Sequence, residues 1–410
     1  MFDVPVDPAT TVSVLGYAGL GVALGTATGL TPGLHANAVA LLLAAAASRL
    51  PGSGLGVAAA LLATGVVHTF LDVVPALALG VPDAAMAASA LPGHRLVLDG
   101  RGDEAVRLSA CGSVAGVLAA VPLAVPLTRA ARRLLPVLEG ALPVVLGGVA
   151  CYLVATESSV RAAVGGVAAF AASAGLGAVV LDRGVAGPLP VGSVLAPLFA
   201  GLFGAPILLE SLRGDGGLPP QADAAIRMDR RSLGITATAG AVAGAAVAYV
   251  PGVSAGVAAT VALPAAPGRH PARGYVVASS AANTATAVFA LFALAGLDAT
   301  RTGVTVAMAA AEAPVVLPVL LPAVALAAAA GMGLVVALGG RYLRAARHVD
   351  HARLAVGVLG LLAVLAYLFA GGTGVGVYLA ASVVGLIPAA AGCRRVHLMG
   401  VLLGPLALGL

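Results

Sequence analysis

The chain has 410 residues, 60% of them hydrophobic and only 10% charged, with a mean hydropathy of +1.05 and a formal net charge of +5. A soluble domain cannot hide that much apolar surface, so the composition excludes a soluble fold. The basic residues, all Arg, are spread over short connections without a contiguous basic and aromatic surface, which excludes nucleic-acid recognition and leaves topology setting as their role.

The first apolar segment, 11–30, follows MFDVPVDPAT, which carries two acids, no basic residue and no small-residue cleavage pattern. It is expected to stay as a first span rather than leave as a signal peptide. Further segments stand at 34–50, 54–80, 108–128, 136–155, 161–181 and 188–210. A bilayer core of roughly 30 Å needs about 20 apolar residues per helix, and such windows recur along the whole chain. The polar stretch SLRGDGGLPPQADAAIRMDRRS, 211–232, reads as a linker. Beyond it, segments resume at 233–250, 252–267, 274–296, 302–322, 323–340, 353–371, 374–391 and 396–410. The expected fold is an all-α polytopic integral membrane protein in two repeat halves, 1–210 and 233–410. If all seven segments before the linker span, the halves enter the membrane from opposite sides; a re-entrant segment after Pro32 changes that count by one.

Two interruptions support the repeat. GLTPGLHANAVALLL in the first half has a counterpart in AYVPGVSAGVAATVALP in the second, with Pro32-Gly33 aligned on Pro251-Gly252, 219 residues apart (251 − 32). Paired Gly/Pro breaks in corresponding places point to a transporter whose site lies where the broken helices meet. Proline fits the first turn of a new helix, and a helix N-terminus presents unpaired N–H groups and a partial positive charge. Such ends favour an anion. The competing explanation is a pair of kinks that only shape the bundle.

Polar groups in the apolar segments are candidates for the rest of the site. Asp72 follows His68 by four residues, on one side of a helix, and an intramembrane carboxylate suggests an ion path or a structural His–Asp pair. Glu312 precedes Pro314 and divides between ion coupling and helix-end capping. Thr31, His35, Asn37 and Ser254 flank the two breaks, where neutral donors and oxygens suit a carboxylate or a sodium ion. SSAANTAT, 279–286, concentrates Ser279, Ser280, Asn283 and Thr284 in one apolar helix and is read as site lining. Arg95, Arg101 and Arg107 read as loop residues that set topology, and Glu139 and Glu210 as solvated segment edges. Cys111, Cys151 and Cys393 are isolated, so neither a disulfide framework nor a metal site is indicated. HVDH, 348–351, lies in an Arg-rich loop and reads as solvated, and no HExxH, Walker or GxSxG motif is present. An enzyme is not expected, nor a cofactor beyond a coupling Na+ or H+.

Along nearly its whole length the chain resembles the large membrane subunit of tripartite tricarboxylate transporters, the TctA-like family. The residues that carry the likeness are Pro32-Gly33, Val81-Pro82, AAMAASAL, the passage GHRLVLDGRGDEAVRLSA from Gly93 to Ala110, PGVSAGVAA from Pro251 and ASSAANTATAVFAL from Ala278. The chain departs from the family where Ser279-Ser280 replace a Pro-Glu pair, where Asn283 is followed by Thr284 rather than a second Asn, and where LDATRTG stands near 297–303 in place of a second Ile-Pro-Gly element. A divergent or archaeal-type member fits. The resemblance implies ion-driven uptake of citrate-like or other carboxylates, with a small membrane subunit and an extracytoplasmic binding protein as partners. PGVSAG, 251–256, also resembles an element of polyprenyl-phosphate translocases, in which a phosphate head group would occupy the same helix ends. A non-transporting membrane scaffold is the alternative of a different class.

Overall fold

The computed structural model describes residues 7–32, 34, 36–47, 54–79, 90–189, 193–212, 218–223, 225–250, 258 and 271–409. Among these there are helices and loops and no strand. Helix α1 spans Pro8–Leu30. Asp7 caps it, accepting from the Thr10 N–H at 3.1 Å, and Pro8 occupies the first turn, where its missing N–H does no harm. Thr31 ends it in extended backbone, as a residue before proline must.

The first half continues through α2 (Ala36–Ala46), α3 (Gly54–Leu71), α4 (Val73–Leu79), α5 (Ala90–Leu98), α6 (Gly102–Ala155) and α7 (Val160–Val180). After α8 (Leu195–Phe199), a π-helical turn (Ala200–Gly204) leads into α9 (Ala205–Ser211). In the second half α10 (Arg230–Tyr249) is capped by Asp229, and α11 (Pro271–Leu297), α12 (Gly303–Ala310), α13 (Leu317–Ala346) and α14 (His351–Gly385) follow. The short α15 (Ile387–Ala391), a 3-10 turn (Arg395–Met399) and α16 (Gly400–Leu408) close the described chain. Eight helical stretches among these residues are long and apolar enough to cross a membrane, which makes this an all-α multi-pass membrane protein.

Small residues set the packing. Gly21, Gly25 and Gly29 lie one turn apart on α1 and bring its backbone against α3: a Cβ on Gly21 would overlap the Ala60 carbonyl, one on Gly25 would stand 2.5 Å from the Thr64 carbonyl oxygen, and one on Gly29 would stand 2.6 Å from Leu71 Cβ. Both sets of numbers rise together, so α1 and α3 run parallel. The chain between them therefore returns toward the side from which α1 starts. On α10, Gly240 and Gly244 pack in the same way on Ala278 and Ala282 of α11. These glycines stand 219 residues after Gly21 and Gly25, the spacing of the two Pro-Gly pairs, and Tyr249, which ends α10, stands 219 after Leu30, which ends α1.

Directions link the two halves. α6 runs parallel to α11, with Gly112 against Val277 and Gly116 against Ala281. α13 runs antiparallel to α6, with Gly102 against Leu343 and Gly339 against Val106, but parallel to α3, with Gly54 against Pro314 just ahead of α13 and Gly331 against Phe70. Consequently α1 and α3 run opposite to α10 and α11. α3 and α11, the two most enclosed spans, form the centre of the larger core. A smaller core gathers the far end of α6, α7, the α8 region, α14 and α16.

Several boundaries differ from those expected. The segments 108–128 and 136–155 belong to one helix, α6, because RAARR between them is made of strong helix formers. The boundary expected between 322 and 323 falls earlier: α12 stops at Ala310, Glu312 turns the chain with φ 49°, and α13 starts at Leu317 and carries Pro322 inside it. A break near 371 does occur, at Gly371, whose φ of 59° suits glycine.

Candidate functional site

Asp72 marks a discontinuity between α3 and α4. Its own N–H still donates to the His68 carbonyl at 2.8 Å, but Pro75 has no N–H to give to Leu71, so the helix is interrupted in the middle of the bundle. The Asp72 carboxylate is buried there, and Asn283 of α11 donates to it through Nδ2 at 2.7 Å. One turn back, the buried ring of His68 meets the Thr28 hydroxyl of α1 at 3.0 Å. Three helices that are apolar over most of their length thus turn polar groups to one another at one depth. That is where buried polarity can be satisfied without water.

The hydroxyl-rich stretch of α11 divides between two neighbours. Asn283 faces α3, whereas Ser280 faces α6, its hydroxyl 2.8 Å from that of Ser109 while its carbonyl accepts from Ser113. Ser279 turns back on the Val276 carbonyl at 3.2 Å, and Thr286 donates to Gly244 of α10 at 3.2 Å. Thr284 is fully buried, and its hydroxyl oxygen has no hydrogen-bond partner among the described residues.

The first helix break lies at this level, and the end of α10 lies further along α11. Gly29 packs beside the Asp72 backbone nitrogen, so Thr31 and Pro32 follow at the depth of Asp72. Thr31 turns its hydroxyl onto the Ala27 carbonyl at 2.7 Å. At the end of α10, Tyr249 bonds Thr128 at 2.7 Å and its ring lies 5.9 Å from that of Phe289. Phe289 is six residues beyond Asn283, so the two breaks differ in depth by about 9 Å. Gly33, His35, Pro251, Gly252 and Ser254 lie outside the described residues, as do Val81 and Pro82.

Asn37 stands apart from Asp72, packed on Gly303 at the start of α12. It lines a crevice between the two cores whose other walls include Leu34, Leu41, Phe199, Phe203 and Phe369. Glu312 is exposed, and its neighbour Pro314 packs on Gly54, eighteen residues before Asp72. The structure therefore brings His68, Asp72 and Asn283 together and keeps Glu312 near the opposite end of α3, about 27 Å away along the helix.

Two ionic clusters were not legible as such. Fully buried Glu104 accepts from Arg101 Nε at 2.6 Å, Arg273 Nε at 2.8 Å and the Arg227 N–H at 2.7 Å. Gln221 accepts from the Gly102 N–H at 2.8 Å, and Arg107 pairs with Asp223 at 2.6 Å. The described part of the polar connection is thereby strapped across the start of α6, and Arg101 and Arg107 are engaged rather than free. The one sequence signal for this is the three-residue spacing of Arg101 and Glu104. Elsewhere, Glu157 binds Arg394 at 2.9 Å and His397 at 2.7 Å; burial pushes its carboxyl up, but these hydrogen bonds outweigh burial and hold it below the usual carboxylate range. Glu210 pairs with Arg395 rather than with solvent alone, at 2.7 Å. Among the described residues no group of three His, Cys, Asp or Glu side chains could hold a metal ion.

Comparison with known proteins gives a consistent picture. The model of a family described as the tripartite tricarboxylate transporter TctA family matches residues 15–400. An uncharacterized protein of the archaeon Methanocaldococcus jannaschii is 32% identical over 202 residues, 48% of this chain and 48% of that relative. The match thus spans about half the length of that curated relative. No solved structure matches.

Proposed function

The chain belongs to the tripartite tricarboxylate transporter TctA family, and from that premise we propose that it is the permease of a secondary transporter for small organic anions such as tri- or dicarboxylates, driven by an ion gradient. The observation that carries this reading is the buried polar seam of Thr28, His68, Asp72 and Asn283, at the level of the first Pro-Gly break in an otherwise apolar bundle. The substrate is bound between the helix ends that begin at Pro32 and Pro251, with Thr31, Gly33, His35, Asn37, Gly252 and Ser254 around it and Ser279, Ser280, Asn283 and Thr284 supplied by α11. His68 and Asp72 carry the coupling ion. A small membrane subunit and an extracytoplasmic binding protein complete the transporter.

We also read the two halves as an inverted repeat on either side of the 211–232 connection. The support is the shared 219-residue spacing of glycines, helix ends and Pro-Gly pairs, together with the opposite directions of α1 and α3 relative to α10 and α11. Two copies of one unit, one of them turned over, meet at a site near mid-membrane.

One observation favours a second reading. The crevice beside Asn37 is walled largely by Leu, Ala and Phe, which suits the chain of a lipid carrier whose phosphate sits at the same helix ends. Ligand-induced thermal stabilisation in detergent separates the two, since a ligand that binds the native state raises its stability by mass action. A shift with a citrate-to-succinate panel supports the carboxylate permease. A shift with a short-chain polyprenyl phosphate alone replaces it with the lipid-carrier translocase.

A further inference from the structure

The pairing of Asp72 with Asn283 joins a group read as ion-coupling to a group read as substrate-binding, across 211 residues of chain. We infer that Asn283 is the coupling residue, and that the cation it senses is a proton on Asp72. This rests on the carboxylate-permease reading above.

Asn283 offers Asp72 an N–H, not its carbonyl oxygen. A bound sodium ion needs oxygens directed at it, and here an amide proton already points at the carboxylate. Two of the hydroxyls nearby on α11 are turned elsewhere, Ser280 to Ser109 and Ser279 to the Val276 carbonyl. A proton needs no such cage. It adds to one carboxylate oxygen and leaves a neutral acid.

Protonation has two effects at this place. A substrate carboxylate approaching an ionised Asp72 meets a like charge in a poorly screened interior, and neutralising the acid removes that repulsion. The neutral acid is also a weaker acceptor, which releases the Asn283 N–H to donate to the substrate. Proton uptake from the side facing substrate thus favours substrate binding, and loss of both on the other side resets the Asn283–Asp72 bond. His68, one turn back on α3, is the titratable neighbour at this depth among the described residues. The facing stretches of α1, α2, α4, α11 and α13 carry none, α12 is preceded by the cation Arg301 where its first turn packs on Gly65 of α3, α6 turns Ser109 and Ser113 toward α11 with Cys111 on its opposite side, and His94 of α5 bonds the Leu77 carbonyl further along.

Calorimetric titration of the purified protein with citrate or succinate at pH 7–8.5, in two buffers of different ionisation enthalpy, counts protons taken up per ligand bound. Wild type is expected to take up about one proton, with affinity falling about tenfold per pH unit once Asp72 is ionised in the free protein. Asp72→Asn is expected to bind with no proton uptake and a flat pH profile, and Asn283→Ala to lose affinity at least about tenfold. An infrared carboxylic-acid band that grows when ligand is added to wild type gives a readout independent of how the variants fold. Proton uptake unchanged in Asp72→Asn, absence of that band, or binding that requires sodium without proton uptake overturns the inference and leaves the permease reading standing. Failure of every carboxylate to bind wild type overturns the permease reading and the inference with it.

Discussion

At the level of single residues, Asp72 and His68 were legible because a four-residue spacing in an apolar run places two polar groups on one helix face. Asn283 was legible as a residue type, but its partner was not, since nothing in a sequence pairs groups 211 positions apart. Thr28 and Ser109 carried no signal; single hydroxyls are common in membrane helices and gain meaning only from what faces them. Glu157 offers a test at this scale. Its carboxyl is held below the usual range by Arg394 and His397 against the effect of burial, so the folded state binds its proton more weakly than the unfolded state does. The stability it contributes is complete above the unfolded carboxylate range and is lost as pH falls through the lowered folded value. Glu157→Gln is expected to lower stability by about 1–3 kcal/mol at pH 7. Thermal melts from pH 7 down to about 4 should show the gap from wild type narrowing on acidification. A gap that stays constant or widens contradicts the assignment.

At the level of helices, the Pro-Gly duplication was visible in the sequence, and the same 219-residue spacing also relates Gly21 and Gly25 to Gly240 and Gly244. Which glycines mattered was hidden, because helical glycines look alike until a neighbour is present. A Cβ on Gly25 would stand 2.5 Å from a backbone oxygen of α3 and one on Gly244 2.6 Å from a backbone oxygen of α11, whereas Gly16 has open space. Gly25→Ala and Gly244→Ala are each expected to destabilise the folded protein by about 1–3 kcal/mol, through forced separation of packed backbones. Gly16→Ala should change little. The retained monodisperse fraction after heating in detergent measures this, and equal loss for all three variants contradicts the packing. The continuity of α6 was not legible for the opposite reason. Arg-rich RAARR looks like a loop between spans by charge, yet it is helix-forming by propensity, and propensity prevails locally.

At the scale of the whole molecule, composition alone fixed the class of protein, and the family resemblance was carried by short motifs spread along the chain. The direction of each half could be read only from contacts. Those contacts sort the charged connections: the starts of α6, α10 and α11 and the turn between α13 and α14 share one face, with Arg101, Arg107, Arg230, Arg231, Arg273, Arg344 and Arg347, whereas Arg129, Arg132 and Arg133 lie toward the other. Positive charge accumulates on the cytoplasmic side, so the first face is expected to be cytoplasmic. In a cysteine-free background, a cysteine at His348 should react with a membrane-impermeant maleimide only after permeabilisation and one at Glu312 in intact cells; the reverse pattern inverts the orientation.

The seam around Asp72 is expected to drive transport of a carboxylate. The most direct measurement is uptake of labelled citrate and succinate into proteoliposomes holding the permease with its partner subunits, under an imposed proton gradient, for wild type and Asp72→Asn. Gradient-dependent accumulation by wild type, with Asp72→Asn reduced to passive equilibration, is the predicted result. Accumulation by Asp72→Asn equal to wild type, or none by wild type for any carboxylate, contradicts it.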